Sequence, residues 1–313
     1  MELTGLLHYG VFTLTMVGIY GVLALGLNVQ WGYTGMLNIG VAAFYAVGAY
    51  TTAILTAAPS PDHLGGFGLP FIVGLVGAGV VAGLLALVVG LVTLNLRSDY
   101  LAIASIGIAE IVRLVLKNEA WMTNGVRGIA GIDTPLASLV PGYADLGYLV
   151  LVGVILALVY WGVQRAFRAP WGRVLRALRE NEPAALAAGK NVLAFRVSAF
   201  VLGSVIMGLG GALYAHFNGY VSPSDFQPML ATFLVWVMLI AGGSGNNRGA
   251  LLGALVIWLV WSGTEMLAGL MPEGLGTQAS ALRVFLVGLL LEIILLTRPQ
   301  GLLPEKPPRR VDE

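Results

Sequence analysis

The chain has 313 residues, of which 58% are hydrophobic and only 11% are charged. A soluble domain carries about a quarter charged residues, so this composition excludes an ordinary water-soluble enzyme and a disordered chain. The net charge of +1 gives no general attraction to nucleic acid or other polyanions, and the absence of cysteine removes disulfides, thiolate metal sites and thiol nucleophiles.

In chain order, apolar stretches predict spans near 10–29, 36–57, 70–94, 98–117, 147–164, 193–216, 229–243, 249–269 and 279–297. Most exceed the ~18 residues that a membrane helix needs. The expected fold is therefore an all-α polytopic transmembrane bundle of about eight to ten spans. The 43 glycines fit it, because membrane helices use glycine for close packing. The first run has no basic residue before it and no small-residue cleavage site, so it is expected to remain as a span. The stretch 229–243 is short and ends in Gly242–Gly243, as a half-helix would.

Basic residues are uneven. The loop 165–196 carries Arg165, Arg168, Arg173, Arg176, Arg179, Lys190 and Arg196, and the tail carries Arg298, Lys306, Arg309 and Arg310. The connections at 58–69, 118–146, 217–228 and 270–278 contain only Arg127. The positive-inside rule places the loop and the tail in the cytoplasm. Counting back puts the N-terminus outside, unless a break near Gly32–Gly40 changes the parity.

Three features invite a functional reading. In the basic loop, Leu175 and Leu178 share one face and Arg173, Arg176 and Arg179 another; Pro183 suits the first turn of a second short helix and Gly189 its left-handed end. This predicts two short helices on the cytoplasmic face, held either by anionic lipid or by a docking partner. Next, Trp31-Gly-Tyr-Thr-Gly35-Met-Leu-Asn-Ile-Gly40 and Ala241-Gly-Gly-Ser-Gly245-Asn-Asn-Arg-Gly249 both break apolar stretches just before a long helix. Paired broken helices point to a transport pathway whose freed amides can hold a carboxylate; close glycine packing is the other reading. Last, Glu110, Arg113, Glu265, Arg283 and Glu292 fall inside predicted spans. Such charges either pair or line a pathway, and Glu110 and Arg113 have pairing distance at i, i+3. Gly79-x-x-x-Gly83 and Gly249-x-x-x-Gly253 suit close crossings. Trp31, Trp121, Trp161 and Trp171 sit where an interfacial belt would. His216, at a span end, is expected at the interface.

No phosphate loop is present; the sole Gly-Lys pair, Gly189–Lys190, is followed by Asn191. Gly242-Gly-Ser-Gly245 has the look of an intramembrane serine-protease motif, but His8, His63 and His216 all precede Ser244, so the histidine base that would follow it is missing.

In these motifs the chain resembles the membrane permeases of ABC importers for branched-chain amino acids, of the LivM type. The resemblance runs from residue 28 to 304. It is carried by Trp31-Gly-Tyr-Thr-Gly35 with Asn38-Ile-Gly40, Leu96-Arg-Ser-Asp-Tyr-Leu-Ala-Ile103, Thr123-Asn-Gly125 and Gly172-Arg-Val-Leu-Arg-Ala-Leu-Arg-Glu-Asn-Glu-Pro-Ala-Ala185. It continues through Gly208-Leu-Gly-Gly-Ala-Leu-Tyr214, Val221-Ser-Pro-Ser-Asp-Phe226, Gly242-Gly-Ser-Gly245 and Pro299-Gln-Gly301. It implies a transmembrane permease domain over 1–304, with 165–196 as its cytoplasmic coupling loop, and a cytoplasmic tail at 305–313. It implies that Arg173, Arg176, Arg179, Glu180, Glu182, Ala184, Ala185 and Gly189 seat an ATPase and couple its closure to the spans. A pathway site, if present, is expected around Thr34, Gly35, Asn38 and Gly40. The implied partners are a homologous LivH-type permease, two cytoplasmic ATPases that hold ATP and Mg, an extracytoplasmic substrate-binding protein and the lipid bilayer of a prokaryotic inner membrane. The chain itself is expected to bind no cofactor or metal and to have no enzymatic activity. Asn38 stands where the family pattern has a small hydroxyl residue, and Asn246-Asn247-Arg248 replaces a more apolar link. The rival reading is a stand-alone ion- or proton-coupled transporter or channel using Glu110, Arg113 or Glu265.

Overall fold

A computed structural model describes residues 3–61, 63–94, 98–135, 143–268 and 276–305. The tail residues Lys306, Arg309 and Arg310, Leu96 and Arg97 of the fourth-span motif, and the connection 270–275 lie outside the described residues.

The long helices are α1 (Leu3–Leu27), α2 (Val41–Thr56), α3 (Phe71–Thr93) and α4 (Ser98–Asn118), with a single turn α5 (Ala120–Thr123) following α4. Then come α6 (Ala144–Arg168), the short pair α7 (Pro170–Glu180) and α8 (Glu182–Ala187), and α9 (Val192–Asn218). The chain closes with α10 (Leu234–Gly242), α11 (Asn247–Ala268) and α12 (Gly276–Thr297). Among the described residues, five helices are long and apolar enough to cross a membrane, namely those within 7–32, 71–93, 144–168, 192–218 and 247–266, and α2 and α10 are shorter apolar helices. This is a multi-pass helical membrane protein. Two strands of two residues each, β1 (Ile129–Ala130) and β2 (Tyr220–Val221), pair antiparallel and staple two loops together.

The packing is reversed relative to a soluble protein. On α3 the inward face is Gly74, Ala78, Ala82, Ala86 and Gly90, whereas Ile72 and Val92 on the outer face are 69% and 72% exposed. Large apolar side chains face outward because lipid tails solvate them. Small residues face inward because association there depends on close backbone approach. A Cβ on Gly48 would overlap the Gly208 carbonyl, and one on Gly211 would overlap the Tyr45 carbonyl, so α2 and α9 touch through their backbones. Gly249 and Gly253 do the same for α10 against α11, with Gly242 opposite, as their spacing predicts. Gly79 and Gly83 of α3 receive Val205 and Leu209 of α9.

Helix directions follow from cross-links at both ends. Asn28 donates to Asn247 at 2.9 Å and Tyr9 donates to the Ser262 carbonyl at 2.6 Å, so α1 and α11 run antiparallel. One end of the bundle gathers residues 28–35, α7, α8, the turn 243–247 and residues 298–305. The other gathers 57–70, 120–134 and 219–228, tied by Ala58 N–H to Gly131 O at 3.2 Å and by the β1–β2 pair. The break after α1 lies at the first end, and α2 returns from it, so the break does not disturb the alternation of spans.

Three local expectations change. The second span begins at Val41, not 36, because 36–40 is non-helical. His216 is buried at 2% exposure, not interfacial: its ring meets Thr52 Oγ1 at 3.1 Å and the Asp133 carbonyl at 2.7 Å, which pins the loop before α6 to α2 and α9. Trp121 and Trp161 are exposed as an interfacial belt requires, but Trp31 packs edge-on to Trp236 and Trp171 donates to Ser198 Oγ at 3.0 Å.

The α10–α11 crossing gives a direct test. Gly253→Leu should lower the thermal midpoint of the detergent-solubilised protein or prevent its accumulation, since overpacking costs about 1–3 kcal/mol or more. Gly153→Leu, at a position with nothing near its Cβ, should leave the midpoint unchanged; fluorescence-detected gel filtration after heating reads both.

Candidate functional site

The first broken segment is built around three amides. After α1 the helix widens into a π turn, Asn28–Gly32, and Gly35 at φ +71° turns the chain back into the bundle. Residues 36–40 then continue as non-helical backbone, with Asn38 N–H turned back to Met36 O at 3.0 Å. Non-helical backbone at membrane depth survives only when protein satisfies its polar groups. Here Met36 N–H bonds to Gln30 O at 3.0 Å, Ile39 N–H to Ser105 Oγ at 2.9 Å, Gly40 N–H to Asn38 Oδ1 at 2.8 Å and Ala42 N–H to Thr232 Oγ1 at 3.1 Å. Asn38 also donates to Gln30 Oε1 at 2.7 Å, and its carbonyl accepts from Trp236 Nε1 at 3.0 Å. Gln30 in turn donates to Phe200 O at 2.8 Å and Ser204 Oγ at 3.0 Å.

Of the expected pathway residues, Thr34, Asn38 and Gly40 are therefore buried, and their polar groups bond within the chain; the Thr34 hydroxyl donates to Gln30 O. Gly35 is half-buried beside Arg179. The amides expected to hold a carboxylate are already bonded in this conformation. What sequence reasoning missed is Gln30, the hub of the network. It lies inside an apolar run, and its polarity was the available signal.

The second broken segment is a tight turn. Gly243 and Gly245 have φ of +115° and +81°. Gly245 N–H donates to Asn28 Oδ1 at 2.8 Å, so Asn28 joins both breaks, while Asn247 donates to Gln164 Oε1 at 2.9 Å. Residues 299–305 strap the turn: Leu302 N–H and Leu303 N–H bond to the Ala241 and Gly242 carbonyls at 2.9 Å. Asn246 holds the strap by donating to the Leu303 and Pro304 carbonyls at 3.1 Å. The Asn246-Asn247 departure from the family pattern thus has a structural use. The glycines here serve close packing.

The basic loop forms the two short helices expected. Leu175, Leu178, Gly172 and Ala185 are buried. Pro183 sits in the first turn of α8, Asn181 caps it through Ala184 N–H at 3.0 Å, and Gly189 at φ +74° ends it. Its arginines do not share one fate. Arg173 is exposed, together with Glu180, Ala184 and Gly189. Arg176 reaches back to the Phe167 carbonyl at 3.3 Å. Glu182 pairs with Arg196 at 2.7 Å. Arg179 turns inward: it pairs with Glu305 at 2.7 Å and donates to the Gly32 carbonyl in the π turn. The common arginine face drawn from helical spacing is thus split, because a long side chain goes where an unpaired carbonyl and a carboxylate are within reach.

Beside the first break lies an apolar cleft of about 730 Å³. Trp31, Ile39 and Ala42 line it from the break and the start of α2, Phe226, Thr232, Phe233 and Trp236 from the segment before and within α10, and Ile106, Glu110 and Arg113 from α4. Glu110 and Arg113 pair there at 2.5 Å. Glu265 and Arg283 also pair, at 3.7 Å, with the Arg283 guanidinium 4.8 Å from the Trp261 ring centre. Glu292 is exposed. Among the described residues no group of three or more His, Cys, Asp or Glu could hold a metal ion.

A family model described as branched-chain amino acid transport system / permease component matches residues 10–295. The chain belongs to this family. The permease is 31% identical to the high-affinity branched-chain amino acid transport permease LivM of Salmonella typhimurium, over 94% of the chain and 70% of that relative. It is 30% identical to a probable LivM of Methanocaldococcus jannaschii, over 93% and 92% of the two chains. It is 24% identical to the permease LivH of Escherichia coli, over 92% of each. No solved structure matches the permease.

The amide network predicts a graded response. Asn38→Leu strands the Gly40 N–H and Gln30 Oε1, at about 1–3 kcal/mol for each buried group, and should lower the thermal midpoint of the purified permease clearly. Asn38→Ser, which keeps a hydroxyl acceptor near Gly40, should lower it less.

Proposed function

We propose that this permease is one half of the membrane domain of an ATP-driven importer for branched-chain or other neutral amino acids. The other half is a homologous LivH-type subunit, and identity to both LivM and LivH relatives supports two related halves. Two cytoplasmic ATPases bind ATP and Mg and do the hydrolysis, and an extracytoplasmic binding protein delivers the substrate. The chain's lack of a phosphate loop agrees with nucleotide chemistry on another subunit. Arg165, Arg168, Arg173, Arg176, Arg179, Lys190, Arg196, Arg248 and Arg298 gather at one end of the bundle, against Lys117 and Arg127 at the other. That bias orients the basic end and the C-terminus toward the cytoplasm.

The α7–α8 loop carries the reading. Its inner face is packed, its outer face of Arg173, Glu180, Ala184 and Gly189 is bare, and Arg179 ties it to the first break. An ATPase seated on the bare face moves the loop as a body when it closes on ATP. The loop then shifts the Gly32 π turn and the 299–305 strap together. These hold the breaks beside the cleft, so closure at the basic end changes access at mid-membrane. This is alternating access driven by a differential contact. The rival, an ion-coupled carrier, loses support because Glu110, Arg113 and Glu265 are each paired.

The docking face is testable without disturbing the fold. Arg173→Glu combined with Ala184→Arg should reduce both recovery of the ATPase with the permease and leucine uptake by roughly tenfold, the effect of losing about 1.4 kcal/mol of docking energy. Thermal stability of the permease should not change. Normal uptake by this variant would contradict the assignment of the loop.

A further inference from the structure

The Glu110–Arg113 pair has an unusual setting. Its geometry is two-pronged, with Arg113 Nε on Glu110 Oε2 at 2.9 Å and Nη2 on Oε1 at 2.5 Å. Among the described residues, no other charged side chain lines the cleft, whose remaining surface is almost wholly apolar and aromatic. A helical ion pair contributes only ~0.2–0.5 kcal/mol on a wet surface, which does not account for placing two charges in a cleft lined otherwise by apolar side chains.

The donor and acceptor inventory is half used. A guanidinium has five N–H donors and a carboxylate about four acceptor positions; two of each are engaged here. The free guanidinium edge suits a second carboxylate, and the free lone pairs suit an ammonium. A zwitterion can therefore add to the pair without breaking it, giving four alternating charges with no net charge. A singly charged solute would engage only one member of the pair and leave a net charge beside an otherwise apolar lining. The cleft, at about 730 Å³, is of the size that takes small ligands. Ile106, Phe233, Trp236 and Ile240 supply a surface for an aliphatic side chain.

We propose that Glu110 and Arg113 form the permease's own transit site for a zwitterionic amino acid. Glu110 takes the α-ammonium, Arg113 takes the α-carboxylate, and the aliphatic side chain lies in the cleft. This rests on the amino-acid import reading above. It moves the substrate contact from Asn38 and its neighbours to a pair on α4.

The chain has no native cysteine, so Ile106→Cys, with Ile240→Cys as an independent reporter, gives a unique thiol in the cleft. The whole importer, reconstituted in proteoliposomes with its binding protein, is alkylated with a maleimide while leucine is titrated. Leucine uptake is measured on the same vesicles. Leucine should slow alkylation saturably, whereas isovalerate and leucinamide, each lacking one charge, should slow it far less. Arg113→Gln or Glu110→Gln should raise the half-protecting leucine concentration by roughly tenfold or more, as loss of a charge-assisted hydrogen bond does. Leucine uptake without protection at either cysteine, or protection equal in both glutamine variants, overturns the site while leaving the importer reading intact. Vesicles that take up no amino acid overturn the importer's substrate class and the site with it.

Discussion

A backbone that leaves helical geometry inside a bilayer has no water to bond to, and the rest of this permease is arranged around that constraint. Residues 36–40 are not helical, yet their N–H groups reach Gln30 O, Ser105 Oγ, Asn38 Oδ1 and other acceptors in the chain. The side chains that make this possible come from four places: Asn38 beside its own bonds, Gln30 from the π turn, Ser105 from α4 and Thr232 from the second π turn, Met229–Phe233. The first break is thereby fastened to α4, α9 and the approach to α10. These are the elements that border or support the cleft.

The helices can serve such a network because they pack closely. Backbone contact at Gly48, Gly208 and Gly211, and again at Gly242, Gly249 and Gly253, brings short polar side chains within bonding distance across helices. Larger residues at those positions would separate α2 from α9 and α10 from α11. The non-helical segment 36–40 would then lose its partners. Glycine content and polar satisfaction are in this sense one design.

Much of this was legible in the sequence, and what was not has a common cause. Apolar run length located the five helices long and apolar enough to cross a membrane and the shorter ones at 41–56 and 230–242, whereas α4 and α12, expected as spans, are helical but not among these; spacing gave the buried face of α7. Pro183 and Gly189 gave the bounds of α8, because helix ends depend on local backbone chemistry. The residues whose roles no local pattern shows are those whose partners are distant in sequence. Asn28 bonds to Gly245 and Asn247, Arg179 to Gly32 and Glu305, and His216 to Thr52 and Asp133. No local pattern carries these pairings. The broken segments could be located from glycine spacing, but their hydrogen bonds could not be assigned, so the spacing marks Asn38 as a pathway residue without showing that its polar atoms bond to Gln30, Gly40 and Trp236.

Arg179 is where the surface loop meets this frame. Its side chain joins the amphipathic helix α7, the π turn at Gly32 and the strap at Glu305. In the proposed importer, movement of the loop reaches the breaks through this side chain. Measuring leucine transported per ATP hydrolysed by the reconstituted importer carrying Arg179→Gln tests that most directly. The account predicts that ATP hydrolysis persists while transport per ATP falls by roughly tenfold or more, as loss of a charge-assisted contact implies. An unchanged ratio would contradict it.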